Sequence, residues 1–411
     1  MPRFADIQGQ EAVHARLRAA ALRGKVPHAY LFHGTRGVGK TSTAFALAQF
    51  LNCETPEDAD SCGACPSCRK IHRLRHPDLH WIFPMPGSEK GQKWKGEQRI
   101  GHLRGIMDER LGPGIHVLSH SGAASIAIGR DEDTRAGSIG EVRHEAGLLA
   151  VEARLKVFVV TQAERMTRDA ANSLLKILEE PPAGNLIILT ADRLGELPDT
   201  ILSRCHAVRF RDLGEEGIRS LLLARAGWSS VTPRKTKNNP DPDPVWSQMA
   251  ADPTAAALAA ALAGGSLTRA AELAEDDVVA QRDRVLAILS LEPGDPDLHS
   301  GIRNLDEALA PGGSDNDLPD RRSVERLIDL GLLWLGDVLR VATGSGLPLA
   351  NRDREADVRA QAARLGPAEI RRRASLFEEA RAALRGNVSR PLVLYPLLHG
   401  LGGSPRKAGA A

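Results

Sequence analysis

The strongest constraint on this chain is a glycine-rich octapeptide that follows a short apolar segment and precedes a segment with helical character. The octapeptide, Gly34-Thr35-Arg36-Gly37-Val38-Gly39-Lys40-Thr41, satisfies the pattern G-x-x-x-x-G-K-[ST]. The apolar segment Ala29–His33 is short and ends at a glycine, which predicts a buried strand. Thr41–Leu51 offers apolar side chains for packing and is predicted to be a helix. The order strand, glycine loop, helix predicts a phosphate-binding loop.

Each residue type in this loop has a chemical reason to be there. Gly37 and Gly39 allow backbone N–H groups to turn toward phosphate oxygens without a clash from a Cβ atom. The new helix presents the positive end of its dipole to the same anion. Lys40 can reach the outer phosphates, and the Thr41 hydroxyl can ligate Mg²⁺. We therefore predict that ATP is held by Gly34, Gly37, Gly39, Lys40 and Thr41.

The carboxylates that a hydrolytic site needs are missing from the expected strand end. A working NTPase uses an acidic residue at the end of a neighbouring strand to hold Mg²⁺, and a further group to orient the attacking water. The apolar strand Lys156–Val160 is followed instead by Thr161 and Gln162, which carry no negative charge. Glu164 lies beyond the strand end and is interpreted as a surface charge at a helix start. The sequence predicts nucleotide binding without efficient hydrolysis.

Apolar segments and helical patterns alternate over the first half of the chain. The further predicted strands and helix are Asp78–Pro84, Leu186–Thr190 and Ala207–Phe210, with Asp169–Leu178 as the helix. This alternation predicts an α/β fold with a doubly wound parallel sheet. Beyond Arg211 only helical patterns follow, with polar breaks at Thr232–Pro242 and Pro311–Asp317.

A segment rich in Gly, Lys and Arg, at about residues 87–137, is predicted to be an insertion on the surface of the α/β domain. Its basic residues are Lys90, Lys93, Lys95, Arg99 and Arg104. These charges are interpreted as those of a solvated loop. Contact with the phosphate backbone of a nucleic acid is the alternative. The sequence predicts no function for the insertion.

Four of the five cysteines lie in one short polar segment, and Cys205 lies far away in the sequence. The segment is Cys53-x8-Cys62-x2-Cys65-x2-Cys68. Two cysteines separated by two residues can bring both sulfurs to one tetrahedral ion, and Gly63 and Pro66 suit the turns that this requires. We predict a closed, structural Zn²⁺ site formed by these four cysteines, with a [4Fe–4S] cluster as the alternative. The nearby His72, His76 and His80 are interpreted as exposed helix histidines rather than ligands.

Composition narrows the class of protein. The 411 residues carry 54 Lys and Arg against 52 Asp and Glu, a formal net charge of +2 that excludes a strongly basic nucleic-acid coat. No apolar run reaches the about 18 residues that a membrane span requires, and the polar residues between Asp6 and Glu11 argue against a signal peptide. A cytoplasmic protein of two or three domains, with no membrane partner, is expected.

Four segments together resemble the clamp-loader branch of the AAA+ proteins. They are His28–Gly34 leading into the phosphate loop, the four-cysteine insert, Ala170–Pro182 (AANSLLKILEEPP) and Ser203-Arg204-Cys205. The resemblance is strong over residues 1 to about 215 and weak beyond. It implies an AAA+ P-loop domain at 1–212, with a zinc module at 53–68 and the insertion at about 87–137. A small helical lid domain at 213–275 and a helical collar domain for oligomerisation at 276–411 would follow.

Within this branch, several positions resemble the delta-prime subunits of bacterial DNA polymerase III more than its motor (tau/gamma) subunits. His76–Trp81 has the delta-prime pattern, and the acidic pair of the motors is absent at Thr161 and Gln162. Thr268 stands where the motors place a second sensor arginine, and Gly386–Leu392 resembles the start of the last delta-prime collar helix. In one departure, some delta-prime members have lost the phosphate loop that this chain keeps.

The resemblance implies roles for two residues outside the phosphate loop. Arg204 would act in trans as an arginine finger on ATP held by an adjacent motor subunit, an effect worth about 10³–10⁵ in rate. Thr190 would be the first sensor of the γ-phosphate. The implied partners are the motor (tau/gamma) and delta subunits and, through the complex, the sliding clamp and primed DNA. The chain would be at most a weak ATPase and not itself a polymerase.

Two other functions stay open. The chain is a catalytically active ATPase motor of the same complex if Glu164 or Asp192 replaces the missing acidic ligand. It is a nucleic-acid-binding P-loop protein outside replication if the isolated chain binds DNA tightly with a steep dependence on salt.

Overall fold

The computed structural model describes residues 3–85, 88–89, 92–93, 125–129, 135–231, 253–275, 277–289, 321–386 and 388–401. The chain divides into two compact units, one formed by Met1–Gly217 with Gly265–Thr268 and the other by Ile218–Gly264 with Arg269–Ala411. Within the described ranges, no helix is both long and apolar enough to cross a lipid bilayer. The predicted domain limits at 212 and 275 stay predictions.

The first unit is built around a five-stranded parallel sheet. Its strands are β1 (Ala29–His33), β2 (Leu79–Ile82), β3 (Lys156–Val160), β4 (Asn185–Ala191) and β5 (His206–Arg209). Their order across the sheet is β2-β3-β4-β1-β5, and every neighbouring pair runs parallel. β1 therefore lies between β4 and β5, and the loop that follows it opens at the carboxyl edge of the sheet.

Helices cover both faces of this sheet. They are α1 (Glu11–Leu22), α2 (Lys40–Leu51), α3 (Pro66–His72), α4 (Ile139–Ala146), α5 (Arg168–Glu179) and the short α6 (Asp199–Leu202). Successive side chains of a strand point to opposite faces. Phe32 accordingly packs in the apolar cluster that contains residues of α1 and α2, whereas Leu31 packs in the cluster that contains residues of α4 and α5. The result is a three-layer α/β/α core.

Residues before and within the predicted insertion pair with other parts of the first unit. Met85 pairs with Ser125 in an antiparallel bridge, and Ile126 pairs in parallel with Met166. A short hairpin of Ser88–Glu89 with Gln92–Lys93 follows Met85. The side chains of the predicted basic residues in the insertion lie outside the described part of the chain. The predicted breaks at 232–242 and 311–317 also lie outside it.

The described part of the second unit is helical. The described helices of the C-terminal half are α7 (Glu215–Val231), α8 (Thr254–Leu262), α9 (Leu267–Glu275), α10 (Val278–Leu289), α11 (Arg321–Thr343), α12 (Glu355–Arg364), α13 (Pro367–Arg385) and α14 (Arg390–Leu401). Two of them, α7 and α9, begin in residues that belong to the first unit. The buried Trp334 Nε1 donates to Gln361 Oε1 over 2.5 Å, and Gln361 Nε2 donates to the Leu289 carbonyl over 3.2 Å. These two hydrogen bonds connect α10, α11 and α12.

The structure confirms the predicted α/β fold with a parallel sheet, a phosphate loop between a strand and a helix, an inserted cysteine cluster and a helical C-terminal region. In an open parallel sheet, ligands bind outside the carboxyl ends of the strands, where the strand order reverses direction. The loop between β1 and α2 occupies that position. A ligand site is therefore expected at this loop.

Candidate nucleotide site and cysteine cluster

The phosphate loop connects the end of β1 directly to the first residue of α2. Gly37 and Gly39 have φ angles of 82° and 97°, a region that glycine adopts without the strain of a side chain. Gly39 is the N-cap of α2, so Lys40 and Thr41 are the first two residues of that helix. The predicted residues Gly34, Gly37, Gly39, Lys40 and Thr41 are thus brought together in one loop and helix start, as an anion site requires.

The Lys40 side chain turns back into this loop. Its Nζ donates to the carbonyl oxygens of Gly34 and Thr35 over 2.6 and 2.7 Å. Nζ also lies 2.7 Å from Asp192 Oδ1, and the side chain is only 5% exposed. Burial lowers the pKa of Lys40, and the Asp192 carboxylate partly offsets that shift. Asp192 follows the end of β4, so residues 152 positions apart in sequence form an ion pair in which the lysine is buried and the aspartate is partly buried.

The polar residues after β3 are used in structural hydrogen bonds. The buried Thr161 hydroxyl accepts from Trp81 Nε1 over 3.2 Å and donates to the Ile82 carbonyl over 3.3 Å. The Gln162 backbone N–H donates to the hydroxyl of the buried Thr190 over 3.2 Å. Thr190 therefore lies at the carboxyl edge of the sheet beside the turn after β3. These contacts give the Thr161 hydroxyl and the Gln162 backbone N–H a structural role.

The interpretation of Glu164 as a surface charge is wrong. Glu164 Oε1 accepts the backbone N–H of Asp192 over 3.1 Å. Its other oxygen, Oε2, is buried and has no hydrogen-bond partner among the described residues. Burial raises the pKa of Glu164, and the charge of the Asp192 carboxylate adds to this rise; the backbone N–H groups of Glu164 and Asp192 and the charge of Lys40 oppose it. A turn after β3 carries Glu164 back toward the phosphate loop, which a linear reading of the sequence does not show.

Sequence reasoning missed three groups that hold the phosphate loop. Gln10 Nε2 donates to the carbonyls of Val38 and Arg211 over 3.2 and 2.7 Å. The Thr35 hydroxyl donates to Asp212 Oδ1 over 2.5 Å. The segment Gly265–Thr268 also lies against the loop, because a Cβ added at Gly37 would lie 2.6 Å from the Thr268 backbone nitrogen. All three contacts link residues far apart in sequence, so no local pattern signals them.

The four clustered cysteines converge as predicted. The Sγ atoms of Cys53, Cys62, Cys65 and Cys68 all lie within 4.8 Å of one another. The Cys53–Cys62 and Cys62–Cys68 sulfur distances are 3.6 and 4.0 Å. Tetrahedral Zn²⁺ with Zn–S bonds of about 2.3 Å places its sulfurs about 3.8 Å apart, whereas a disulfide requires about 2.05 Å. A four-iron cluster binds each cysteine through a different iron and needs wider spacing, so the donor set fits Zn²⁺.

Among the four cysteines, the surroundings of Cys62 favour its thiolate form. The Thr55 side chain and the backbone N–H groups of Ala64 and Cys65 lower the pKa of Cys62 to about 6. Burial raises the pKa of the Cys68 thiol, which is the more enclosed group. Bound Zn²⁺ would supply positive charge that favours the thiolate at every ligand.

Of the three histidines near the cluster, which were interpreted as exposed helix residues, only one matches that interpretation. His72 is exposed at the end of α3, but His76 is buried and His80 lies on β2. His76 Nδ1 accepts the Asp78 backbone N–H over 3.2 Å. His80 Nδ1 lies 2.9 Å from Glu141 Oε1, and its ring stacks on Phe158. The burial of His76 and the position of His80 on β2 contradict their interpretation as exposed helix residues. Among the described residues, neither belongs to the group of side chains that could hold a metal.

Arg204 lies in the turn between α6 and β5. Its Nη2 is 2.8 Å from Glu179 Oε1, and its Nη1 donates to the Thr200 carbonyl over 2.9 Å. Glu179 belongs to the distinctive Ala170–Pro182 segment, so two of the sequence motifs contact each other. The Arg204 side chain is 35% exposed. Its role toward a neighbouring subunit stays a prediction.

Subunits of DNA polymerase III are similar in sequence to the first half of the chain. The tau subunit of DNA polymerase III from Salmonella typhimurium is 34% identical over 219 residues, which cover 53% of this chain and 27% of that protein. The delta-prime subunit from Bacillus subtilis is 28% identical over 201 residues, which cover 49% of this chain and 47% of that protein. The chain thus spans between about a quarter and a half of these relatives.

One solved structure aligns over most of the chain at low similarity. It is a protein related to the gamma subunit of DNA polymerase III from Thermotoga maritima, with 14% identity and a TM-score of 0.38. The alignment covers 95% of this chain and 98% of that chain. Similarity at this level adds nothing to the assignment.

The decisive match is to a family model described as DNA polymerase III, delta subunit, which covers residues 9–214, half of the chain. The matched range contains the phosphate loop, the cysteine cluster and Arg204. The chain therefore belongs to the DNA polymerase III delta-subunit family, within the clamp-loader subunits of that polymerase.

Proposed function

We propose that this chain is a delta-prime subunit of the bacterial DNA polymerase III clamp loader, which helps to load the sliding clamp on primed DNA. The observation that carries the proposal is a complete phosphate loop beside a strand end without carboxylates. Lys40 and Thr41 are in place, whereas β3 is followed by Thr161 and Gln162, both used in internal hydrogen bonds. Such a pocket holds ATP and hydrolyses it slowly.

The proposed cofactors follow from the same residues. ATP binds at Gly34, Gly37, Gly39, Lys40, Thr41 and Thr190, with the Thr41 hydroxyl available to Mg²⁺. Zn²⁺ binds at Cys53, Cys62, Cys65 and Cys68 as a structural ion, because all four ligand positions belong to protein.

In this proposal, Arg204 acts in trans on ATP held by a motor subunit. Its guanidinium is presented in a turn at the surface, and it pairs with Glu179 at partial exposure. An ion pair of this exposure contributes little to stability. The guanidinium can therefore exchange Glu179 for the charge of a γ-phosphate when a neighbouring subunit brings one.

Two exposed apolar surfaces support assembly with other proteins. In the first unit, Leu149 and Val151 are 93% and 72% exposed in the turn that follows α4. In the second unit, Leu392 and Tyr395 are 67% and 57% exposed on α14. Large apolar side chains exposed close together are characteristic of protein interfaces. The proposed partners are the motor and delta subunits and, through them, the sliding clamp.

Reconstitution tests the proposal. The purified chain is mixed with candidate motor and delta subunits, and the complex is examined for a stable ring that contains one copy of this chain. Arg204→Ala is expected to leave ATP binding by the isolated chain unchanged and to lower the ATPase rate of the assembled complex at least about tenfold, well within the effect of an arginine finger. Arg193→Ala, which removes a more exposed arginine, is the control. An unchanged ATPase rate in the Arg204→Ala complex argues against the proposal.

A second candidate, an active ATPase motor, draws on the position of Glu164. This carboxylate lies near Lys40 and Asp192, and one of its oxygens has no partner among the described residues. ATP turnover by the isolated chain separates the two candidates. Turnover at a motor-like rate that Lys40→Ala abolishes, and that Glu164→Gln lowers strongly, supports the motor. Turnover near background supports the delta-prime subunit.

A further inference from the structure

We infer that Asp192 is an internal competitor for the phosphates of a nucleotide: its carboxylate holds Lys40 in a latched state that must open before ATP can bind. The inference rests on the proposed nucleotide site and concerns its regulation. The ion pair between Asp192 and Lys40 is called the latch. The latch gives Asp192 a role opposite to that of a metal ligand, since the latch weakens nucleotide binding whereas a metal ligand strengthens it.

The hydrogen-bonding capacity of Lys40 carries the first step. A lysine ammonium has three N–H donors and no acceptor. In the structure, Nζ has three oxygen partners: the carbonyls of Gly34 and Thr35 and the carboxylate of Asp192, at 2.6, 2.7 and 2.7 Å. Every donor of the ammonium is therefore used within the chain. Contact with a phosphate requires that at least one of these bonds be given up.

The charge and position of Asp192 carry the second step. Its carboxylate is the anionic partner of Lys40, so it occupies the charge interaction that an outer phosphate needs. Its backbone N–H is fixed by Glu164 Oε1, which holds the turn after β4 in place. The ion pair is shielded from water, with the Lys40 and Asp192 side chains 5% and 23% exposed. An ion pair so shielded is screened by salt less than a surface pair.

A second carboxylate makes a parallel contact. Asp212 accepts the hydroxyl proton of Thr35 within the same loop. The loop in this state thus has two internal acidic partners, one on Lys40 and one on Thr35. When a binding-competent state is populated only in part, the apparent Kd rises in inverse proportion to that population. Release of the stronger, charged contact is expected to raise nucleotide affinity.

The test replaces Asp192 by Asn, which keeps the size of the side chain and removes its charge. Binding of a fluorescent ATP analogue is measured for the wild type, Asp192→Asn and Lys40→Ala, each in Mg²⁺ and in EDTA. We expect Asp192→Asn to tighten binding about tenfold in both buffers, as for an open state populated at about one tenth. Glu196→Gln is the matched control, because Glu196 is an exposed carboxylate in the next turn that pairs with Arg193. It is expected to bind like the wild type.

A second measurement reports on the latch without nucleotide. The rate at which a small amine-reactive reagent labels Lys40 is followed by mass spectrometry. Labelling is expected to be several-fold faster in Asp192→Asn than in the wild type and unchanged in Glu196→Gln. Asp192→Ser is carried in parallel, and thermal melting verifies that each variant is folded.

The outcomes separate the latch from the nucleotide site. Tighter binding together with faster labelling supports the latch. Wild-type binding that Asp192→Asn leaves unchanged, or weakens only in Mg²⁺, overturns the latch and leaves the nucleotide site intact. If no variant and no wild-type protein binds the analogue, the proposed nucleotide site is wrong and the latch is wrong with it.

Discussion

At the scale of single residues, Gly37 of the phosphate loop is constrained both by its backbone angle and by its neighbours. Its φ angle is 82°, and an added Cβ would lie 2.6 Å from the Thr268 nitrogen and 2.7 Å from the Thr268 hydroxyl oxygen. Gly37→Ala is therefore expected to lower the free energy of unfolding by about 2 kcal/mol or more, combining backbone strain with overpacking. Chemical unfolding of the purified chain measures this change.

Gly184→Ala separates the two causes. Gly184 has a φ angle of 81°, but no atom of the described residues lies within 4 Å of an added Cβ. Its replacement is expected to lower the free energy of unfolding by only about 1 kcal/mol, from backbone strain alone. Equal effects at both positions would show that the contact between Gly37 and the segment Gly265–Thr268 contributes nothing.

The residues of the phosphate loop could be predicted because the motif is local, but their partners could not. The pattern from Gly34 to Thr41 specifies a loop whose backbone chemistry depends on adjacent residues. Asp192, Asp212 and Gln10 reach the loop only after the sheet has formed. Local sequence context does not show that these side chains contact the loop; Asp192 could be named only as a possible acidic ligand, and Glu164 was interpreted as a surface charge for the same reason. Tertiary contacts determine which charged side chains lie beside the loop, and the periodicity of a local segment does not predict such contacts.

At the scale of elements, the cysteine cluster is expected to be a metal-dependent module around α3. Zn²⁺ content of about one ion per chain is predicted for the wild type and loss of that ion for Cys62→Ser, because structural Zn²⁺ sites need all four ligands. Removal of the ion by a chelator is expected to lower the melting temperature, since metal affinity is coupled to folding. Metal analysis and thermal melting measure both effects.

Cys205→Ser is the matched control for the cysteine cluster. Cys205 lies outside the cluster, and burial raises the pKa of its thiol to about 12, so it remains a neutral thiol at neutral pH. Its replacement is expected to leave the Zn²⁺ content unchanged. A chain that keeps its ion after Cys62→Ser, or that loses it after Cys205→Ser, would show that the metal is bound elsewhere.

The turn before β3 is organised by one buried carboxylate. Asp78 accepts the backbone N–H groups of Val151, Glu152 and Ala153 over 2.7–2.8 Å. Burial by itself raises the pKa of Asp78, but these three donors outweigh it and leave the pKa below its usual value of 3.8. The folded state thus favours the carboxylate, and its contribution to stability is present above about pH 4 and is lost as the pH falls through the lowered pKa.

Asp78→Asn is expected to lower the free energy of unfolding at pH 7 by about 2 kcal/mol, because Asn lacks the charge and one of the two acceptor oxygens. The variant is also expected to lose less stability than the wild type when the pH is lowered from 5 to 3. Unfolding by denaturant at several pH values measures both. Asp199→Asn, at an exposed position, should follow the wild-type profile; if Asp78→Asn follows it too, the three hydrogen bonds do not stabilise the turn.

The elements of the sheet were predictable from apolar runs because parallel strands are buried on both faces. Ala29–His33 and Lys156–Val160 were placed without error at their ends. The order of the strands was not accessible from the residues themselves, because each pairing joins segments far apart in the chain. The insertion at about residues 87–137 was inferred from its Gly, Lys and Arg content and its weak periodicity, and it stays a prediction.

At the scale of the whole molecule, the proposed function requires that this chain assemble with other subunits. In that proposal the chain's own pocket holds the phosphates of ATP, while Arg204 acts on the ATP of a neighbouring subunit. Assembly must then be mediated by surfaces that the isolated chain leaves exposed. Leu392 and Tyr395, three residues apart on α14, share one face of that helix.

Replacement of both Leu392 and Tyr395 by Ser is expected to weaken assembly with the proposed motor and delta subunits at least about tenfold, since apolar and aromatic anchors dominate protein interfaces. The melting temperature of the isolated chain should change little, because neither side chain is buried within it. Sedimentation of the mixture measures assembly. Leu22→Ser, which replaces an equally exposed leucine of the first unit, should assemble like the wild type. If the α14 variant assembles normally while remaining folded, this face is not an interface, and the contacts of the chain must be sought elsewhere, beginning with Leu149 and Val151.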